Sequence, residues 1–100
     1  MNAYFVYGLI DPLYPNRVRY VGYTEDMNRR FIGHLKDKTS TYKARWLRKV
    51  LREGRTPRMI ILDFSTDRNE ALQKEMSYIA EYRKIEGKHL TNETEGGAGG

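Results

Sequence analysis

The sequence predicts a single α+β domain, with three extended stretches and three amphipathic helical ones in a chain of 100 residues. Three observations lead there. Tyr4 to Ile10 and Arg17 to Tyr23 are dense in aromatic and β-branched residues and flank a turn-forming segment, the pattern of a β-hairpin. Apolar residues then recur at three- and four-residue spacing after Thr24, Ser40 and Asp67, as they do on helices with one buried face. Finally, 11.8 kDa fits one core with a radius of gyration of ~13 Å and leaves no room for a second module. The expected organisation is a folded domain over 1–95, followed by a glycine-rich end over 96–100 that reads as the start of a linker.

The hairpin comes first. Asp11-Pro12-Leu13-Tyr14-Pro15-Asn16 supplies prolines and turn formers between the two strands. A symmetric six-residue loop would put Ile10 opposite Arg17, Leu9 opposite Val18 and Tyr7 opposite Tyr20, so two tyrosines are expected side by side on one sheet face with Phe5, Leu9, Val18 and Gly22. Thr24, with Glu25 and Asp26 after it, reads as the cap of a helix whose stripe is Met27, Phe31 and Leu35. Arg30 and His34 form a second four-residue pair on its flank. Ser40 or Thr41 starts the next helix, expected to bury Ala44, Leu47 and Leu51 and to end before Gly54.

Met59 to Phe64 is an uninterrupted apolar run, apart from Asp63, and reads as a third strand covered on both faces. Asp67 and Glu70 have capping-box spacing at the start of a long helix to about Glu86, closed by Gly87. Its expected stripe is Leu72, Met76 and Ile79, with Ala71, Tyr78 and Tyr82 beside it. From Lys88 onward glycine is too frequent for helix or strand.

Composition narrows the function. Hydrophobic residues at 39% and charged ones at 31% describe a chain that folds. No apolar stretch approaches a membrane span and no basic leader precedes one, so an intracellular, cytoplasmic protein is expected. The absence of cysteine excludes disulfides, thiolate metal sites and thiol nucleophiles; any metal would be held mainly by oxygen. Charge is unevenly distributed: residues 1–58 hold 13 Lys and Arg against 5 Asp and Glu, whereas 59–100 hold 5 against 8. The first half is where a polyanion would sit. Lys43, Arg45, Arg48, Lys49 and Arg52 share the polar side of the second helix, as either a solvated face or a phosphate-tracking one.

Glu75 stands three residues after Leu72 and four before Ile79, which puts a carboxylate on the core-facing side of its helix. A charge there must be compensated by a bound cation or by an Arg of the basic half. Spacing leaves both open. Tyr7 and Tyr20 could equally be an ordinary cross-strand pair, and Asn92 an ordinary turn residue or cap.

Taken in order, Phe5-Val6-Tyr7, Tyr20-Val21-Gly22, Arg30, His34, Glu75 and Asn92 before a glycine-rich end resemble the GIY-YIG nuclease family. The densest stretches are Arg19 to Thr24 with Arg29 to His34, and Leu90 to Gly97. The first motif departs from the family pattern in having Phe-Val before its tyrosine, and the second has Val for Ile. Both keep the tyrosine. The resemblance implies a three-stranded antiparallel sheet flanked by helices, and an endonuclease that hydrolyses DNA with one Mg²⁺ or Mn²⁺ held by Glu75. It implies Tyr7 or Tyr20, with Tyr7 preferred, as the base for the attacking water. Arg30 would steady the phosphate, His34 orient or activate a tyrosine, and Asn92 position the carboxylate or the metal shell. Lys43, Arg45, Arg48, Lys49 and Arg52 would follow the DNA backbone. The glycine-rich end is most like that of phage-type homing enzymes, with specificity expected from a DNA-binding domain beyond Gly100 or from a partner. The alternative is a catalytically silent basic module that binds nucleic acid.

Overall fold

The structure is a computed structural model and describes residues 2–96. Strands β1 (Tyr4–Ile10), β2 (Tyr20–Thr24) and β3 (Arg58–Ser65) form one antiparallel sheet in the order β2-β1-β3. Helices α1 (Met27–Leu35) and α2 (Tyr42–Arg52) connect β2 to β3, and α3 (Arg68–Glu86) follows β3, leading into a 3₁₀ turn at Gly87–His89. The fold is therefore α+β as expected, with a radius of gyration of 12.9 Å. Gly97 to Gly100, most of the supposed linker, lie outside the described residues.

Alternation along the strands divides the core into two layers. Val6, Ile10, Val21, Ile60 and Leu62 point to one face and pack with Ile79, Tyr78 and Tyr82 of α3. Tyr7, Leu9, Tyr20 and Met59 point to the other and pack with Trp46, Leu47 and Val50 of α2 and with Met27 of α1. The central strand is β1, buried continuously from Val6 to Ile10.

Several sequence expectations are corrected. β3 is an edge strand: Ile61 and Phe64 are 58% and 59% exposed, while Ile60 and Leu62 face the core. An unbroken apolar run cannot distinguish a strand covered on both sides from an edge whose outer face is also apolar. The ladder also changes register opposite Val6 and Tyr7, where Asp63 and Ile61 are the partners. In the hairpin, Tyr7 pairs with Gly22 and Leu9 with Tyr20. The loop is longer than the prolines indicate, because Arg17 to Arg19 precede the regular strand. The slip is two residues, so both tyrosines keep the predicted face.

Helix ends and stripes shift for local reasons. Asp26, not Thr24, caps α1, accepting from Arg29 N–H at 3.0 Å, while the Thr24 hydroxyl accepts from Asp26 N–H at 3.0 Å. Thr41 caps α2, as one of its two candidates. Its buried residues are Ala44, Trp46, Leu47 and Val50, and Leu51 turns outward. In α3, Met76 is exposed, and Leu72, Glu75 and Ile79 form the inner row. Glu70 does not close a capping box. It accepts from the Ser65 hydroxyl at 2.7 Å, and that hydroxyl receives Asp67 N–H at 3.0 Å.

Leu90, Thr91 and Asn92 are buried along the outer edge of β2. Thr91 donates its N–H and its hydroxyl to the Arg19 carbonyl, each at 2.6 Å. The Asn92 amide accepts from Val21 N–H and donates to Val21 C=O, both at 2.8 Å, taking the place of a neighbouring strand's backbone. β2 is thus protected on the side that β1 leaves open. Among the described residues, no helix is long and apolar enough to cross a membrane.

Candidate active site

Tyr7 and Gly22 form a cross-strand pair in which one partner has no side chain, and the Tyr7 ring occupies the space that this leaves. A Cβ at position 22 would lie 2.5 Å from Tyr7 Oη. So seated, Tyr7 is 1% exposed, and its Oη lies 2.7 Å from Nε2 of His34. His34 is the buried residue of α1, whose predicted apolar stripe of Met27, Phe31 and Leu35 is only half-buried. Tyr20 completes a triangle of rings, with centroids 6.4 Å from Tyr7 and 5.6 Å from His34; the Tyr7–His34 separation is 5.7 Å.

Cations surround this triangle. Lys43 Nζ stands 5.2 Å from the Tyr20 ring centroid and 2.9 Å from Asp37 Oδ2. A cleft of about 710 Å³ opens beside it, lined by Thr24, Arg29, Arg30, His34 and Lys43 among others. Arg30 is exposed there, one helical turn before His34. Asp37, which the sequence reading did not single out, ties Lys43 to the α1–α2 connection. Its signal was present, since it is the sole acidic residue between Asp26 and Glu53.

These surroundings set the protonation states. Burial pushes the Tyr7 phenol well above its usual value; the neighbouring Tyr20 and Glu75 add to the rise and Arg30 opposes it. Tyr20 is raised as well, first by burial and then by Glu75. Burial pushes His34 down to about 4, and Lys43 and Arg30 push the same way. At neutral pH the pair is therefore an intact phenol against a neutral imidazole. The Oη–H donates to Nε2 when the His34 proton is on Nδ1, and the roles reverse in the other tautomer.

Glu75 reaches this region from α3, on the opposite face of the sheet. It is 7% exposed, and its charge acts on both tyrosines. Gly96 passes beside it with φ +92°, and a Cβ there would sit 3.2 Å from Glu75 Oε1 and 2.8 Å from Ile79 Cδ1. The structure thus brings Tyr7, Tyr20 and His34 into contact, with Arg30 at the cleft and Glu75 in electrostatic range. Asn92 directs its amide to Val21. Of the α2 cations, only Lys43 lines this cleft. Arg48 donates to the carbonyls of Thr39 at 2.8 Å and Asp37 at 3.4 Å, while Arg45 and Lys49 line a different concavity.

The family model described as the GIY-YIG catalytic domain matches residues 3–89. The chain belongs to the GIY-YIG family. Comparison with curated proteins and with solved structures returns no match. The GIY-YIG match takes in Tyr7, Tyr20, Arg30, His34 and Glu75 and stops three residues short of Asn92. It marks this chain as a nuclease-type domain, and GIY-YIG nucleases generally use a divalent metal.

The residues present fit such an ion. No group of three or more His, Asp and Glu side chains is assembled for a metal among the described residues, so a protein cage is not on offer. What this GIY-YIG domain provides is a nearly buried carboxylate within electrostatic range of two phenols. That donor set suits a hard cation that keeps several waters and shares the substrate's phosphate oxygens.

Proposed function

We propose that this domain is a metal-dependent DNA endonuclease, with Tyr7 and His34 as its proton-handling pair and Glu75 as its metal ligand. The 2.7 Å contact between Tyr7 Oη and His34 Nε2 carries this reading, since the pair lies beside a cleft bearing Arg29, Arg30 and Lys43. Arg30, exposed at that cleft, is suited to steady the scissile phosphate by charge-assisted hydrogen bonds. Mg²⁺ or Mn²⁺ at Glu75 would supply Lewis-acid stabilisation of the charge that develops on the leaving oxygen.

Tyr7 cannot act as a standing phenolate, because burial keeps its proton on. It can act as a relay: as the water oxygen bonds to phosphorus, its proton passes to Tyr7 Oη while the Tyr7 proton passes to His34 Nε2. The P–O bond to the sugar oxygen breaks, and that oxygen takes up a proton from solvent. Burial is the main reason His34 holds a proton poorly, and Lys43 and Arg30 add to it. A bound phosphate chain would offset the two cations and so ease the transfer in part. Lys49 and Arg52, exposed on α2, extend the positive surface along the DNA backbone. The ordered motifs and the closing Leu90 to Gly97 segment support a homing-endonuclease-like catalytic core, with sequence selection supplied by a further domain or a partner.

The deciding experiment incubates supercoiled plasmid with Mg²⁺ and compares wild type, Glu75→Ala and wild type with EDTA. Nicking by wild type alone is expected. Equal nicking by Glu75→Ala, or none by wild type, would sink the metal-nuclease reading. Salt-sensitive DNA binding without nicking would leave the silent binding module.

A further inference from the structure

Across the first turn of α2 from the catalytic cleft lies a second concavity, of about 510 Å³. Arg19, Arg83 and Lys88 line it together with Tyr42 and Trp46, and no carboxylate does so among the described residues. Its cations are held open. Arg19 lies 5.3 Å from the Trp46 ring centroid and gives its Nε–H to the His89 carbonyl at 2.7 Å. Arg83 donates to the carbonyls of Leu90 and Asn92. Carbonyl acceptors orient these guanidiniums without neutralising them, and none of the ion pairs among the described residues includes Arg19, Arg83 or Lys88. Glu93 accepts Tyr42 N–H at 2.7 Å, and Glu86 and Asp11 act on Arg19 from outside the groove.

The aromatic residues differ in what they offer. Trp46 is 7% exposed and forms the wall, its ring covered by Arg19. Tyr42 is 60% exposed at the rim, with the Arg45 guanidinium 5.3 Å from its centroid. An exposed aromatic ring beside a groove lined by cations and no carboxylate is the combination that binds unpaired nucleic acid: backbone phosphates meet the cations and a base stacks on the ring. A paired base has its faces covered by its neighbours in the duplex and offers no such surface to Tyr42.

We propose that this groove is a subsite for an unpaired DNA segment continuous with the strand at the catalytic cleft. Tyr42 directly precedes Lys43, which lines the catalytic concavity, so the two concavities adjoin at the first turn of α2. A strand leaving past Lys43 would reach the Tyr42 ring by rounding that turn. The assignment rests on the nuclease reading for its strand path, and it selects substrates with a frayed, gapped or tailed junction over uninterrupted duplex.

The test measures binding in EDTA, where no cleavage is needed, using a labelled blunt duplex and the same duplex with a six-nucleotide 5′ or 3′ tail. One tail polarity should tighten binding about tenfold, the worth of one stacked base. Tyr42→Ala should remove that advantage and Lys88→Glu should reduce it, both with unchanged affinity for the blunt duplex and unchanged thermal melting. Failure of both tail polarities to tighten binding would overturn the proposal, as would a Tyr42→Ala variant that weakens blunt and tailed binding equally. Plasmid nicking with Mg²⁺, run alongside, reports the nuclease reading separately: tail-dependent binding without nicking keeps the subsite and removes the enzyme.

Discussion

Replacing Gly22 with alanine adds one methyl group and should disable the proposed site without altering any polar residue. The new Cβ would lie 2.5 Å from Tyr7 Oη, 2.6 Å from Cζ and 3.0 Å from Cε1. Non-bonded carbon contacts settle at roughly 3.5–4.0 Å, so the ring must retreat by about 1 Å. The space for that is occupied, because Tyr7 packs with Leu9, Trp46, Leu47 and Val50. A shift of that size disturbs the 2.7 Å contact between Oη and His34. Misplacement by ~1 Å costs on the order of 10²-fold in rate. Overpacking a core costs about 1–3 kcal/mol, and each kcal/mol lowers Tm by roughly 4–8 °C in a domain of this size. The assay is single-turnover nicking of supercoiled plasmid, with thermal melting in parallel. Gly33→Ala is the matched control for stability, since a Cβ there meets nothing within 4 Å; helix propensity predicts a gain of about 1 kcal/mol. A Gly22→Ala protein that melts with wild type and nicks at the wild-type rate would refute the argument that Gly22 seats Tyr7.

Three further outcomes are expected. Tyr7→Phe keeps the ring and removes the hydroxyl, so turnover should be lost while DNA affinity measured in EDTA stays within about twofold; retained cleavage would shift the base role to Tyr20 or to water. Asn92→Ala leaves Val21 N–H and C=O without their partner, and each buried group left unpaired costs about 1–3 kcal/mol. Thermal melting should fall accordingly, with activity recovering on cooling if Asn92 acts by holding β2. Because His34 titrates near 4 in the folded protein and near 6.5 when unfolded, the unfolded chain binds the extra proton between those values. Stability from this group is complete above pH 6.5 and is lost as pH falls through about 4. His34→Gln should flatten that part of a urea-denaturation pH series, and an unchanged slope would exclude the buried neutral imidazole.

The core-facing position of Glu75 followed from local spacing, because Leu72 and Ile79 bracket it at helical intervals whatever packs above them. The side of the sheet shared by Tyr7 and Tyr20 followed equally, since parity along a strand survives a two-residue slip in pairing. The third helix and its ends were readable for the same reason: Asp67 and Gly87 act on their own neighbours. The conspicuous basic residues of α2 were harder, because similar side chains diverge: Lys43 to the cleft, Arg48 to the α1–α2 connection, and Arg45 and Lys49 to a separate concavity.

The sequence by itself determined an α+β chain, a basic first half and the ordered polar residues that resemble a nuclease. These are properties of composition, periodicity and order, which the chain carries before it folds. Tertiary structure alone decided that β1 is central and β3 an edge, that Gly22 rather than Tyr20 faces Tyr7, and that His34 turns inward to meet a phenol. It also decided that Asn92 substitutes for a strand beside Val21. Each of these depends on which surfaces meet after the chain has crossed from one face of the sheet to the other, and no local pattern records that.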